Sequence, residues 1–180
     1  DKLIGGSGND TLSGGSGDDT YWVDSFKDKI KESLNEGTDK VYSSVPFELS
    51  SHVENLYLTG NSKTSITGTG NNMNNIISGT SGRNWLYGEG GDDKLIGGSG
   101  NDTLNGGSGN DELIGGEGKD TAEFSSKSNV INLSKGLQQT KDGLDLLKGI
   151  ENVKAGSGND KVYGSKGSNV LDGEAGNDLL

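Results

Sequence analysis

The sequence predicts an all-β solenoid, a stack of short parallel strands joined by glycine-rich turns, and three observations predict it. A nine-residue period fills most of the 180 residues, with Asp recurring at its sixth position and an apolar residue at its eighth. Gly accounts for 33 residues and Pro for 1, a backbone rich in turns. Leu, Ile, Val and Phe make up only about one residue in five, too few for an ordinary globular core.

The period is plainest in residues 97–105, Gly-Gly-Ser-Gly-Asn-Asp-Thr-Leu-Asn, followed in phase by 106–114 and 115–123. Extended backward through 88–96, 79–87 and 70–78, it gives six nonapeptides without a gap. The chain opens with two more, 5–13 and 14–22, and closes with 155–163, 164–172 and 173–180. Position 6 is Asp10, Asp19, Asp93, Asp102, Asp111, Asp120, Asp160 or Asp178 in eight windows, and Asn75, Asn84 or Asn169 in the others. Position 8 is Leu12, Tyr21, Ile77, Leu86, Leu95, Leu104, Leu113, Val162, Leu171 or Leu180, with the small Ala122 the exception.

Each repeat divides physically in two. The glycine-rich first six residues suit a turn that visits positive φ. The last three extend, and strand alternation turns position 8 inward and positions 7 and 9 outward. A three-residue strand buries little alone, so the coils must stack, placing the position 8 side chains in a thin apolar column between two ridges of carbonyls and carboxylates.

The organisation is a first repeat block at 1–22, an irregular insert at 23–69, a central block at 70–123, a second insert at 124–154 and a third block at 155–180. Residues 23–31 keep the register, with Asp28 at position 6 and Ile30 at position 8. The inserts resemble one another. Gly37-Thr38-Asp39-Lys40-Val41 precedes Val53-Glu54-Asn55-Leu56, as Gly143-Leu144-Asp145-Leu146-Leu147 precedes Ile150-Glu151-Asn152-Val153. They read as degenerate coils of one continuous solenoid, itself a segment of a longer protein. Alternation in Val45, Phe47 and Leu49 favours strands, and no segment reads as a helix.

A net charge of −11, with 16 scattered Lys and Arg, excludes a nucleic-acid or anionic-membrane footprint and makes cations the natural partner. The absence of Cys removes disulfides and soft-metal thiolate sites. No apolar run approaches a membrane span and no N-terminal signal peptide is present. His52, the single histidine, lies among Ser50, Ser51 and Glu54 and reads as a surface residue rather than a catalytic base. No nucleophile elbow or general acid and base pair stands out, so no catalytic residue is assigned and the chain is not read as an enzyme. Trp22, Trp85 and Tyr87 read as outward stacking aromatics, and Lys94, Lys119 and Lys161 as solvating an edge. Glu54 and Glu151 stand either as ligands of an extra ion or as hydrogen-bonding corners.

Gly-Gly-x-Gly-x-Asp-x-apolar-x, as in residues 97–105, resembles the nonapeptide of the RTX (repeats-in-toxin) family of exported bacterial proteins. The resemblance implies a right-handed parallel β-roll with two nonapeptides per coil and Ca²⁺ bound in the turns. It implies that the position 6 carboxylates Asp10, Asp19, Asp93, Asp102, Asp111, Asp120, Asp160 and Asp178 are metal ligands. Carbonyls of positions 1 and 3, such as Gly97, Ser99, Gly106, Ser108, Gly115 and Glu117, join them. Repeat n then shares an ion with repeat n+2, pairing Asp93 with Asp111, Asp102 with Asp120 and Asp160 with Asp178. An all-oxygen set suits Ca²⁺ better than transition metals or Mg²⁺. Asn75, Asn84 and Asn169 depart from the pattern.

The implied function is a monomeric, calcium-responsive folding module of a secreted bacterial protein that travels through a type I secretion machinery. Two alternatives remain: a calcium-rigidified adhesive or surface-layer element, and an accessory module beside a secreted enzyme such as an alginate epimerase, protease or lipase. An ice-binding face is disfavoured because position 3 is mostly Ser, as in Ser7, Ser16, Ser99 and Ser108.

Overall fold

A computed structural model describes residues 1–60, 65–125 and 128–180, and the remaining residues of the two inserts, 61–64 and 126–127, lie outside that description. The chain is all-β, a parallel solenoid of about nine turns, with no helix among the described residues. Successive short strands alternate between two sheets, so that each strand pairs with one a full coil away. Lys94–Ser99 pairs with Glu112–Glu117 in the register Leu95 to Leu113, and Trp85 faces Thr103 on the other sheet. Both steps are two nonapeptides, which is why the nine-residue rule repeats in space every second time it is written in sequence.

The larger sheet has eleven strands. Along it run Lys2–Ile4, Thr20–Val23, Lys40–Ser43, Asn55–Leu58, Ile76–Ser78, Lys94–Ser99, Glu112–Glu117 and Leu144–Lys148. The second, of seven strands, runs from Phe47–Glu48 through Ile66–Thr69, Asn84–Tyr87, Thr103–Asn105, Thr121–Glu123 and Asn152–Lys154 to Leu171–Asp172. Thr11–Leu12 and Lys29–Ile30 form a separate parallel pair. The strands of residues 23–69 and 124–154 thus pair directly with those of the regular blocks. Their turns differ in length, so Lys40 faces Asn55 and Glu112 faces Leu146.

One segment departs from the parallel expectation. Val130–Asn132, Leu137–Gln139 and Leu144–Lys148 are antiparallel neighbours. Four residues link the first two strands, and so tight a connection can join only antiparallel strands. The buried Gln138 clamps that turn: its Oε1 accepts from the Asn132 amide at 2.7 Å and its Nε2 donates to the Asn132 carbonyl at 2.9 Å.

Position 8 builds the core. Tyr21, Val41, Leu56, Ile77, Leu95, Leu113 and Leu147 form one buried file in register across the larger sheet. Leu86, Leu104, Ala122 and Val153 form the facing file, continued by the half-buried Leu171. With Leu171, two more expected members fall short: Leu12 is half-buried and Leu180 is 60 % exposed, because the end coils have a neighbour on one side only. The outward aromatics of the larger sheet stack in a ladder, Trp22 on Tyr42 and Tyr42 on Tyr57, with centroids 5.2 Å apart in each pair. Trp85 instead receives the Arg83 guanidinium on its face at 4.5 Å.

Candidate metal sites in the turns

The residue just before each strand holds the turn together, and at regular coils that residue is the position 6 Asp. Its Oδ1 accepts the backbone N–H of the equivalent residue one coil earlier. Asn75 N–H donates to Asp93, Asp93 to Asp111 and Asp111 to Asp145, at 2.7, 2.8 and 3.1 Å. On the other edge Asn84 donates to Asp102, Asp102 to Asp120 and Asp120 to Glu151 Oε2, at 2.7, 2.8 and 2.9 Å. The first coils repeat the arrangement from Asp10 to Asp28, Asp19 to Asp39 and Asp39 to Glu54. The last do so from Asn129 to Asp160 and Asp160 to Asp178. Each carboxylate that receives such an N–H therefore has one oxygen committed within the ladder, while Asp10 enters it only as a donor and Asp19 Oδ1 accepts from the Asp1 ammonium.

The second oxygen makes the turn a candidate cation site. Oδ2 of Asp10, Asp19, Asp93, Asp102, Asp120 and Asp160 is buried and has no hydrogen-bond partner. An ionised oxygen left so would carry a heavy desolvation cost, which a bound cation removes. The space at the oxygens of Asp10, Asp19, Asp93, Asp102 and Asp120 is kept open by a position 1 glycine, whereas the Asp160 repeat opens on Ala155. A methyl group on Gly97 would lie 2.5 Å from Asp102 Oδ2 and 2.6 Å from the Gly115 carbonyl oxygen. At Gly88 the same atoms are Asp93 Oδ2 and the Gly106 carbonyl, and the Gly97 carbonyl faces Gly79 in the same way. Carboxylate and position 1 carbonyl thus converge on a cradle that a side chain would fill, an all-oxygen set fitting Ca²⁺.

Burial acts on the carboxyls accordingly. It is the largest influence on Asp93, whose carboxyl rises to about 8, and nearby Asp111 and Asp92 add to it against the Asn75 hydrogen bond. Burial also lifts Asp102 and Asp111 to about 6 and raises Asp120 and Asp145.

All eight sequence-assigned Asp residues lie in these ladders, with Asp10 and Asp178 only half-buried. The position 1 carbonyls of Gly106 and Gly115 point into the cradles of Asp93 and Asp102, whereas that of Gly97 points into the turn of Asn84. The position 3 residues serve the backbone: the Ser108 carbonyl accepts from Gly91 N–H at 3.0 Å and that of Glu117 from Gly100 N–H at 2.8 Å. Ser99 donates its N–H to the Thr80 carbonyl, and its hydroxyl lies 3.4 Å from Glu117 Oε2.

The asparagines need no ion. Asn75 Nδ2 donates to the carbonyls of Val53 and Glu54, both at 3.2 Å, and its Oδ1 accepts from Asn71 N–H at 2.8 Å. Asn169 does the same between the Glu151 carbonyl and Ser165 N–H. Asp28, Asp39, Asp145, Glu54 and Glu151 also occupy ladder positions and were not among the sequence-assigned ligands. The Gly-x-Asp of residues 37–39 and 143–145 was the available signal. Glu54 and Glu151 each accept a ladder N–H, as the corner reading of them expects. Lys94 is no mere edge solvator: its ammonium lies 2.6 Å from Glu112 Oε2, and Lys148 lies 2.5 Å from the other oxygen. His52 sits half-buried at a turn with φ 68° and takes no part in the ladders.

A parallel roll with rows of buried carboxylate oxygens facing carbonyls defines a calcium-binding repeat solenoid. The family model for the RTX calcium-binding nonapeptide repeat matches in four copies, at residues 1–30, 69–104, 90–122 and 148–180, together more than half of the chain. The chain belongs to the RTX calcium-binding nonapeptide repeat family. No individual curated protein matches it. The RTX roll is a structural calcium-binding module, not a catalytic one. Among the described residues no helix is long and apolar enough to cross a membrane.

Proposed function

We propose that this chain is a calcium-responsive folding module of a secreted bacterial protein, held unfolded at cytosolic calcium and folded on reaching the calcium outside. The observation that carries the reading is the set of buried, partnerless Oδ2 atoms. A roll that buries them ionised is unfavourable until a divalent cation arrives. With a dissociation constant of order 10⁻⁴ M per site, about 1 mM Ca²⁺ contributes roughly 1.4 kcal/mol for each. Five or six independent sites then add roughly 8 kcal/mol, comparable with the whole stability of a domain. At sub-micromolar calcium the contribution vanishes, leaving a chain that can thread a type I secretion machinery and fold outside as a monomer. The eight Asp residues, Asp10, Asp19, Asp93, Asp102, Asp111, Asp120, Asp160 and Asp178, supply the carboxylate ligands in this reading.

The stacked Trp22, Tyr42 and Tyr57 support a second reading, a rigid surface or adhesive scaffold, because that ladder is held without ions. Far-ultraviolet circular dichroism during a calcium titration from chelator to about 10 mM, with magnesium as control, separates the two. A cooperative gain of β signal with calcium alone is expected. A fully formed β signal in chelator would rule out the folding switch and leave the scaffold.

A further inference from the structure

Three carboxylates meet on the coil that closes the first repeat block: Asp19, Glu32 and Asp39 each bring one oxygen within 4.8 Å of the other two. Asp19 is 1 % exposed; its Oδ1 accepts from the Asp1 ammonium, while Oδ2 has no partner. Glu32 Oε2 is likewise buried and partnerless. Glu32 Oε1 accepts a hydrogen bond from the Tyr21 hydroxyl, which in turn accepts from Gly14 N–H at 2.8 Å. Asp39 is 1 % exposed and holds Asp19 N–H with its Oδ1 at 2.8 Å.

This is not the arrangement of a regular turn. At Gly88 the cradle lies between Asp93 Oδ2 and the carbonyl of Gly106, the position 1 glycine of the next coil. At Gly14 the bounding atoms are Asp19 Oδ2 and the Tyr21 hydroxyl. Glu32 follows Gly14 at the spacing by which Gly106 follows Gly88, so a carboxylate side chain stands where a regular coil has glycine. Tyr21, in a position 8 file otherwise aliphatic, supplies the hydroxyl that orients it. Two departures from the repeat therefore meet at one point, and each makes sense only with the other.

We propose that Asp19, Glu32 and Asp39 form a tri-carboxylate cation site, different in ligand set from the regular turn sites, that takes Ca²⁺ more tightly than they do. Affinity in oxygen sites rises with the number of charged ligands, and a divalent cation among three carboxylates offsets a repulsion that the single Asp1 ammonium on Asp19 Oδ1 only partly relieves. The site fills first as calcium rises, which makes the first insert the place where calcium-driven ordering begins. The inference rests on reading the chain as a calcium-binding module.

Calorimetric titration of the whole 180-residue chain, stripped with chelator and titrated with CaCl₂, tests it in wild type and Glu32→Gln. Wild type is expected to show a binding class about tenfold tighter than the rest, and Glu32→Gln to lose that class while keeping the weaker ones. A tight class that survives Glu32→Gln, or a single class in wild type, would overturn the site while leaving the module reading intact. No calcium heat in wild type would instead overturn the module reading itself. Should Glu32→Gln fail to regain the wild-type dichroism spectrum in saturating calcium, Glu32→Asp decides, keeping the charge with a shorter reach. A tight class weakened in Glu32→Asp supports the site, and an unchanged one overturns it.

Discussion

Residues 70–87 and 88–123 follow the same nine-residue rule, yet their turns close by different chemistry. In the first, Asn75 and Asn84 stand at position 6, and their amide nitrogens donate to carbonyls of the coil before, at 3.2 Å from Asn75 and 3.4 Å from Asn84. In the second, Asp93, Asp102 and Asp120 turn Oδ1 to a backbone N–H of the coil before and leave Oδ2 bare beside the position 1 glycine, where Asn75 and Asn84 place an Oδ1 that accepts an N–H of their own turn. Oxygen and nitrogen differ little in size, so packing is kept while the polarity of the contact is reversed. Both kinds of coil are bridged to the one before by a hydrogen bond, and only the Asp turns leave an acceptor bare where a cation would fit. The bare oxygens that would take calcium are therefore distributed turn by turn rather than uniformly along the roll.

The largest expected effect is local. In chelator at neutral pH, hydrogen exchange should show strands Lys94–Ser99, Thr103–Asn105, Glu112–Glu117 and Thr121–Glu123 losing most of their protection. Strands Ile76–Ser78 and Asn84–Tyr87, which belong to the asparagine turns, should lose less. Uniform loss across both regions would mean that the roll folds as one unit and would break the comparison.

Protons should replace part of what calcium supplies. The folded Asp93 carboxyl lies at about 8 against an ordinary 3.8, so the ion-free roll binds a proton that the unfolded chain does not. Stability from that group is complete below about pH 3.8 and is lost as pH rises through about 8. Asp102 and Asp111, lifted to about 6, lose theirs lower in the same window. Acidification from pH 8 to about 5 in chelator should raise the β signal, and the calcium midpoint should move to higher concentration as protons compete. A β signal in chelator that is flat or falls on acidification would show that the buried carboxylates do not limit the ion-free fold.

Leu104→Ala separates core from site. Leu104 is fully buried between the two sheets, so its truncation should cost about 2–5 kcal/mol in denaturant titrations with calcium present. The number of bound calcium ions at saturation should be unchanged, and a lost ion would mean that the core residue also shapes the turn.

Asp102→Asn sharpens the comparison most finely. It converts one ion-bridged turn to the Asn84 type, so it should remove roughly 1.4 kcal/mol of calcium-linked stability at 1 mM while stabilising the roll in chelator. Opposite signs in the two conditions are the signature, and a loss of similar size in both would refute the exchange of ion for amide.

Much of this was legible in residues 97–123, where, the small Ala122 apart, the defining positions of the repeat are filled by the residues their slots require. Asp102 and Leu104 could be assigned to turn and core before any coordinates because turn chemistry and strand alternation are local properties. The inserts were less transparent. Asp39 and Asp145 sit in ladder slots, but the turns before them are longer and shorter by irregular amounts, and a period read along the chain cannot follow a change in turn length. Glu54 and Glu151 fill the same slot with a longer side chain, which no nonapeptide rule anticipates.

The sequence by itself determined the all-β stack, its nine-residue step, the position 8 files and the calcium-binding family, because each rests on a pattern that repeats within a few residues. Tertiary structure alone decided which oxygen of each carboxylate is committed to a backbone N–H and which is left bare. It also decided that the Asn turns satisfy themselves and that Glu32 reaches Asp19 beneath Tyr21. Those outcomes depend on which coil lies against which, and residues a full coil apart become neighbours only when the stack is built.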